Sequence, residues 1–501
     1  MSNYQPDPYD QHTDFYKLPK LLKRIPFEEK VRQCFALSKE SLRFINHPEI
    51  IKQGKNVPLP WAVETLALLC IESKENPGCS ASKRVHSQFV KMYNAVNSIT
   101  PYNMPDSGNE IIKFLGPVYA RTQFDIQETP IIKYCRYSYI FNYQSEKLDV
   151  KELFFKKFGA FYDDFLSLCG FLELYYQVND RYYNEVLKYL LLNRYKAASA
   201  ALSITRDDYI TELHRMTDGS NDKTRYLNCV RPSYRYAFVQ DGNALYVPLP
   251  HLLHINITTS MFCRLTENNN ALREQIGKYA LEDYLLTIIK GSTVYDSVSG
   301  EQKYSISKKQ KDVRSSDVIA KKEGDLLFLD SKASVPSKSI RDYDSEAYKR
   351  TINQYADNIV QLYKQIQATP KYFIPFSGCE HISRDNIWGV VVVHEDARFI
   401  DDEIYPVVCS KLSIDNSSGE EAWVRRHIKI TSLYNIELLC FSRNNIIDAI
   451  KESFILCSEY PLTAPTIKTF EKKHETMISE LACDIVERRN KKEVRPWPTA
   501  N

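Results

Sequence analysis

The stretch GDLLFLDSKAS, residues 324–334, runs four apolar residues straight into an aspartate, a serine and a lysine. Side chains alternate along a strand, so Asp330 and Lys332 share one face while Leu329 and Ser331 share the other. Upstream, Asp317 opens a second apolar run, DVIA, and the turn KKEGD separates the two. This spacing predicts an antiparallel hairpin with Gly324 supplying the bend. Pairing across it brings Asp317 towards Asp330 and Lys332, so two carboxylates and one ammonium meet at the lip of an apolar sheet.

Clustered carboxylates repel unless a cation compensates them. Hard divalent ions such as magnesium accept oxygen ligands and retain several waters. A neighbouring lysine can hold an attacking water, and the ion can stabilise charge growing on a phosphodiester. The chemistry expected is metal-assisted hydrolysis. A D-x-K triplet by itself is also an ordinary surface ion pair; its setting at the end of an apolar strand is what favours a site.

Elements around the hairpin must hold these groups. From about residue 271 to 395 the pattern reads helix, strand, strand, strand, helix, strand. ALREQIGKYALEDYLLTIIK is the first helix, and STVYDSV, from Ser292, is a short alternating strand. The second helix covers roughly Ser345 to Gln367, with Ile352, Tyr355, Ile359, Leu362 and Ile366 as its apolar stripe. WGVVVVHE, from Trp388, is the continuous Val run of a strand buried on both faces. ITSLYNIELLCF, 430–441, fits either a strand or a short helix, and a final amphipathic helix is expected from about Pro465 to Arg488.

Taken together, this order and these residues resemble the PD-(D/E)XK nuclease superfamily over about residues 270–400. The motif appears as Ser316-Asp317 followed by Asp330-Ser331-Lys332. The resemblance implies an αβββαβ restriction-endonuclease-like core with a mixed sheet; it does not reach the N-terminal region, where the helical periodicity predicts a largely helical domain, so the fold class expected is α+β or α/β. The resemblance also implies Asp317, Asp330 and the Ser331 carbonyl as metal ligands, with Glu282 on the preceding helix as a further ligand or a close neighbour of the ion. Lys332 would position the water, and Gln354 on the following helix would orient Lys332 or contact phosphate. Mg2+ is the implied cofactor, with Mn2+ as a substitute. Ser316 stands where the family's proline would be, Asp330 replaces the commoner glutamate, and Ser331 is polar where a buried residue is usual.

The expected function is therefore a metal-dependent DNA endonuclease, by fold analogy of the restriction, phage-defence or repair kind. The alternative is a non-catalytic nucleic-acid- or protein-binding subunit that retains the nuclease fold. DNA is the expected partner, although a metal-hydrolysis site does not itself distinguish the sugars. Between Lys303 and Arg350 twelve Lys/Arg face eight Asp/Glu, two of the acids being the supposed ligands, so the rim is modestly basic.

The rest of the 501 residues set bounds. The organisation expected is a mostly helical targeting or partner-binding domain over 1–217, a β-rich connection over 218–268, the nuclease-like domain over 269–450, and a C-terminal helix and tail over 451–501. Helices are predicted from Pro26, Pro60, Ser80, Val150, Arg181 and Arg206, and RYAFVQDGNALYVPLP reads as a hairpin around Asp241-Gly242. A protein partner is expected through the helical N-terminal domain. A net charge of +3 argues neither for nor against nucleic acid, so any basic footprint is local. Twelve scattered cysteines without a C-x-x-C pair suit reduced thiols and a cytoplasmic location. The polar N-terminus predicts no secretory leader, and the apolar runs are too short to span a bilayer. His251 and His254, at i, i+3 in HLLH, have no acidic or cysteine partner close in sequence and read as ordinary histidines. His394-Glu395 ends the Val run and could approach the sheet lip. The absence of a G-x-x-x-x-G-K-[ST] loop argues against an ATPase motor in this chain, and no G-x-S-x-G elbow is present.

Overall fold

In the computed structural model the described residues are 8–46, 58–80, 84–98, 130–178, 195–217, 226, 232–305, 313–335, 345–372, 375–376, 382–395, 401–415 and 418–456. The chain forms two compact units: 1–127 with 151–267 and 341–343, and 128–150 with 268–340 and 344–501. Residues 218–267 therefore group with the first unit, and the short segment 128–150 groups with the second.

The first unit is mainly helical. The predicted helices appear as Phe27–Asn46, Pro60–Glu72, Val150–Phe158 and Arg206–Met216. The one expected at Ser80 starts later, as Val85–Asn97. Pro60–Glu72 is apolar almost all round, and eleven of its thirteen residues are buried, so it forms the unit's centre. A small sheet, β1 (Ser203–Thr205), β2 (Phe238–Asp241) and β3 (Ala244–Tyr246), has β1 parallel and β3 antiparallel to β2. Gly242 makes the β2–β3 turn with φ +58°, where a residue without Cβ has no strain. Among the buried side chains, Ser38 Oγ lies 2.7 Å from His251 Nδ1, and His251 Nε2 lies 3.1 Å from Glu64 Oε1. Tyr234 donates to the other Glu64 oxygen. All of Ser38, His251 and Glu64 are fully buried, so this chain of polar groups ties helices together and has no path to a substrate.

The second unit is built on a mixed five-stranded sheet ordered β10-β9-β8-β7-β4. The strands are β4 (Ser297–Gly300), β7 (Val318–Lys322), β8 (Asp325–Lys332), β9 (Ile387–Val393) and β10 (Ile428–Ser432), with a separate two-stranded pair, β5 (Lys303–Tyr304) and β6 (Val313–Arg314), between β4 and β7 in sequence. β4, β7 and β8 are antiparallel neighbours; β8, β9 and β10 are parallel. All seven residues of β9 are buried, as its Val run requires of a central strand. The helix Ser345–Tyr372 covers one face with Ile352, Tyr355, Ile359, Leu362 and Ile366 against Leu326, Phe328 and Val391.

Several local expectations change. The strand expected at Ser292 begins at Ser297, because Ser292 caps the preceding helix and Thr293 turns the chain with φ +56°. The hairpin bend uses Glu323, at φ +52°, in place of Gly324. The Glu323 N–H donates to Asp296 Oδ2 at 2.6 Å, which anchors this less favoured backbone. Residues 428–441 form a strand and a helix in succession: β10 ends at Ser432, whose hydroxyl caps Leu433–Phe441. The helices expected from Arg181 and Pro465, and the basic SISKKQK stretch apart from Ser305, lie outside the described residues.

Candidate active site

The β7–β8 hairpin determines the geometry. Its register pairs Val318 with Leu329, and one step further places Asp317 opposite Asp330 at the open end. Leu326 and Phe328 belong to the core under the 345–372 helix, so Asp330 and Lys332 continue that row out of the apolar layer. Asp317 Oδ2 accepts the Ser331 N–H at 2.6 Å, which fixes the first carboxylate against the second strand. Lys332 Nζ stands 2.5 Å from Asp330 Oδ2. Asp330 is only 2% exposed, and Oδ2 is buried with this ammonium in place of a well-formed hydrogen bond.

Glu282 adds a third charge. It lies on a continuous helix that runs from Asn270, passes through a π-helical turn, Ile276–Leu281, and resumes as Glu282–Gly291. Gly277 lets this turn lie close to the strand end: a Cβ there would meet the Ala333 Cβ at 2.8 Å, next to Lys332. Burial pushes the Glu282 carboxyl up to about 8, with Asp317 the next cause, Lys278 opposing, and Glu301 and Asp330 adding. Burial likewise pushes Asp317 up to about 7, assisted by the Asp330 charge and opposed by the Ser331 N–H and Lys332. The three acids are thus electrostatic neighbours, answered by the ammonium groups of Lys332 and Lys278. Among the described residues, no three His, Cys, Asp or Glu side chains gather closely enough to hold a metal by themselves. Glu282 acts on the aspartates through its charge.

Gln354 is exposed on the 345–372 helix and makes no hydrogen bond to the acids or to Lys332, whereas its neighbour Tyr355 is in the core. Ser316, at the motif's first position, is fully buried and its hydroxyl donates to the Val318 carbonyl.

Of three supporting features, the approach of His394 to the sheet lip was expected and the other two were not. The His394 N–H donates to the Lys332 carbonyl at 2.9 Å, and its buried ring lies 2.9 Å from the Tyr137 hydroxyl. Burial, then the charges of Arg136, Arg273 and Lys133, hold this imidazole well below its ordinary pKa, so it is neutral. Behind it, Arg136 Nε donates to Glu437 Oε1 at 2.8 Å and Nη2 reaches Oε2, while Tyr284 donates to Oε1. That network joins the helices Pro130–Phe141, Glu282–Gly291 and Leu433–Phe441. The signals were single charges inside apolar runs, Arg136 in YCRYSYIF and Glu437 in NIELLC, each of which needs a partner once buried. The third is Gly277, an isolated glycine in a helical pattern, which often marks a close approach.

The donor set fits a hard divalent ion in type. Asp317 and Asp330 supply carboxylate oxygens at the open end of the hairpin, Asp330 Oδ2 faces only a cation, and magnesium accepts one or two carboxylates with the remaining sites filled by water. No protein-family model, curated protein or solved structure matches this chain. Among the described residues no helix is long and apolar enough to cross a membrane.

Proposed function

We propose that the second unit is a restriction-endonuclease-like core and that the chain is a metal-dependent nuclease, acting on DNA. The observation that carries this reading is the crowding of Asp317, Asp330 and Glu282 at the end of a buried sheet, with Lys332 beside them. Such acids stay together at a cost unless a cation joins them, and perturbed carboxyls of this kind mark candidate sites. Asp317, Asp330 and the Ser331 carbonyl would hold the ion. Bound Mg2+, or Mn2+ in its place, would supply Lewis acidity and charge neutralisation at a phosphodiester. Lys332 orients the water whose oxygen attacks phosphorus as one bridging P–O bond breaks and the leaving oxygen gains a proton. Glu282, with its raised pKa, can exchange a proton near neutrality.

The direct Lys332–Asp330 pair favours a second reading, a non-catalytic subunit in which the ammonium takes the place of an ion. A cleavage assay separates the two. Supercoiled plasmid and a single-stranded RNA are incubated with Mg2+ or Mn2+ and wild type, Asp330→Ala or Lys332→Ala. Nicking of plasmid by wild type, reduced at least about a hundredfold in both variants, is expected. Equal activity in all three, or none in wild type with either metal, removes the nuclease reading.

A further inference from the structure

The helix that carries Glu282 comes close to the end of β8, where a Cβ on Gly277 would stand 2.8 Å from that of Ala333. The chain neighbours of this contact are both lysines: Lys278 follows Gly277, and Lys332 precedes Ala333. Helix and strand thus each bring one lysine to the acid cluster, and the Lys278 charge acts on Glu282. The two ammonium groups are employed differently. Lys332 is paired with Asp330 at 2.5 Å. Lys278 is half-buried, and among the described residues it makes no ion pair. Glu282 follows it by four residues, and lysine before glutamate is the less favourable order for a pair within a helix. Lys278 also stands in the π turn Ile276–Leu281, an irregularity that often accompanies functional sites.

We infer that Lys278 is a catalytic residue whose ammonium donates to a non-bridging oxygen of the substrate's phosphodiester. This role rests on the nuclease reading proposed above. Charge balance selects it. Asp317, Asp330 and Glu282 bring three negative charges when ionised, while Glu301, which adds to their field, is already paired with Arg314. One divalent ion and Lys332 would balance the three, which leaves Lys278 as a single positive charge for an incoming group. A phosphodiester carries one negative charge on exposed oxygens, whereas a neutral ester or amide would leave the ammonium unmatched. A lysine ammonium is a compact donor on a flexible stem, suited to one such oxygen. Held there before the reaction, it stabilises charge on the phosphoryl group as the bond to water forms. The contact is electrostatic and transfers no proton.

A cation beside the acids repels a metal ion and attracts a phosphate, so its removal should help the first and harm the second. The full-length wild type is compared with Lys278→Met, which keeps the length of the side chain, and with Lys278→Arg. Calorimetry should show Lys278→Met binding Mg2+ at least as tightly as wild type. Fluorescence anisotropy of a labelled DNA duplex with Ca2+, which accepts the same oxygen ligands, should show affinity weakened about tenfold. Nicking of supercoiled plasmid with Mg2+ should fall about tenfold or more at every pH between about 6 and 9, and Lys278→Arg should recover most of the loss. Three results would overturn the role while the nuclease reading stands. They are duplex binding and nicking equal to wild type, loss of Mg2+ binding together with nicking, and a loss of nicking that vanishes as pH rises. The second would mark a structural role, and the third would mean that Lys278 acts only through Glu282. A wild type that neither binds Mg2+ nor nicks removes the reading and this role with it.

Discussion

Glu437 and Asp330 are both acids buried in the second unit, at 0% and 2% exposure, yet their surroundings differ in kind. Glu437 receives both forks of Arg136 and the Tyr284 hydroxyl, so its oxygens are answered by donors. Asp330 sits opposite a second carboxylate, within the influence of a third, and meets one flexible ammonium. The first arrangement holds three helices together and offers nothing to a ligand. The second leaves negative charge concentrated at the end of the sheet's middle strand, where a cation would lower its free energy. The lesson is that burial of an acid does not mark a site; burial with too few donors does.

Arg136→Ala gives the largest effect and tests the satisfied side of that comparison. It strands the Glu437 charge in the core and should lower stability by about 3–5 kcal/mol, seen as a reduced urea midpoint. A loss below about 1 kcal/mol would mean that the network does not bind the helices together.

Gly277→Ala comes next. The added methyl group meets the Ala333 Cβ, which pushes the π turn from the strand and should cost about 1–3 kcal/mol. The double variant with Ala333→Gly should recover most of this, and thermal melts of the four proteins form the cycle. Absence of rescue would show that the approach of helix to strand is not what Gly277 provides.

Relief of the crowded side has the smallest effect. Asp317 and Glu282 are raised from ordinary values of 3.8 and 4.5 to about 7 and about 8. A folded carboxyl with a raised pKa binds more protons than the unfolded chain, so its contribution is favourable below the unfolded value. That contribution is lost as pH rises through the folded value. Metal-free stability should therefore decline between about pH 4 and pH 8. At pH 8 Asp317→Asn should be more stable than wild type, on the order of 1 kcal/mol after discounting for solvent and for charge shared with Glu282. The two proteins should converge near pH 4, as urea titrations at each pH would record; a variant less stable at pH 8 would contradict the crowding.

Much of this second unit could be read from residue order. Two apolar runs flanking the KKEGD turn define the hairpin, the Val run defines a strand buried on both faces, and the Ile352–Ile366 stripe defines the covering helix. Asp317 and Asp330 were legible as a pair because hairpin register is local arithmetic. What failed to show were pairings across long separations. Arg136 and Glu437 are 301 residues apart, and nothing in either neighbourhood names the other. The 128–150 segment joins a unit far downstream for the same reason. The bend at Glu323 was misplaced because the hydrogen bond its N–H donates to Asp296 outweighs the usual preference for glycine. Gln354 was assigned from the resemblance, and a helix position alone does not say which way a long polar side chain on an exposed face will turn.

Calorimetric titration of the full-length chain with Mg2+ and with Mn2+ at pH 8 tests the central claim most directly. Wild type should bind with a measurable heat and release protons as the ion displaces them from Asp317 and Glu282. Asp317→Asn and Asp330→Ala should each abolish or greatly weaken the signal, while Arg24→Glu in the other unit leaves it unchanged. A wild-type chain that ignores both ions, or one whose binding survives loss of either aspartate, would contradict the account.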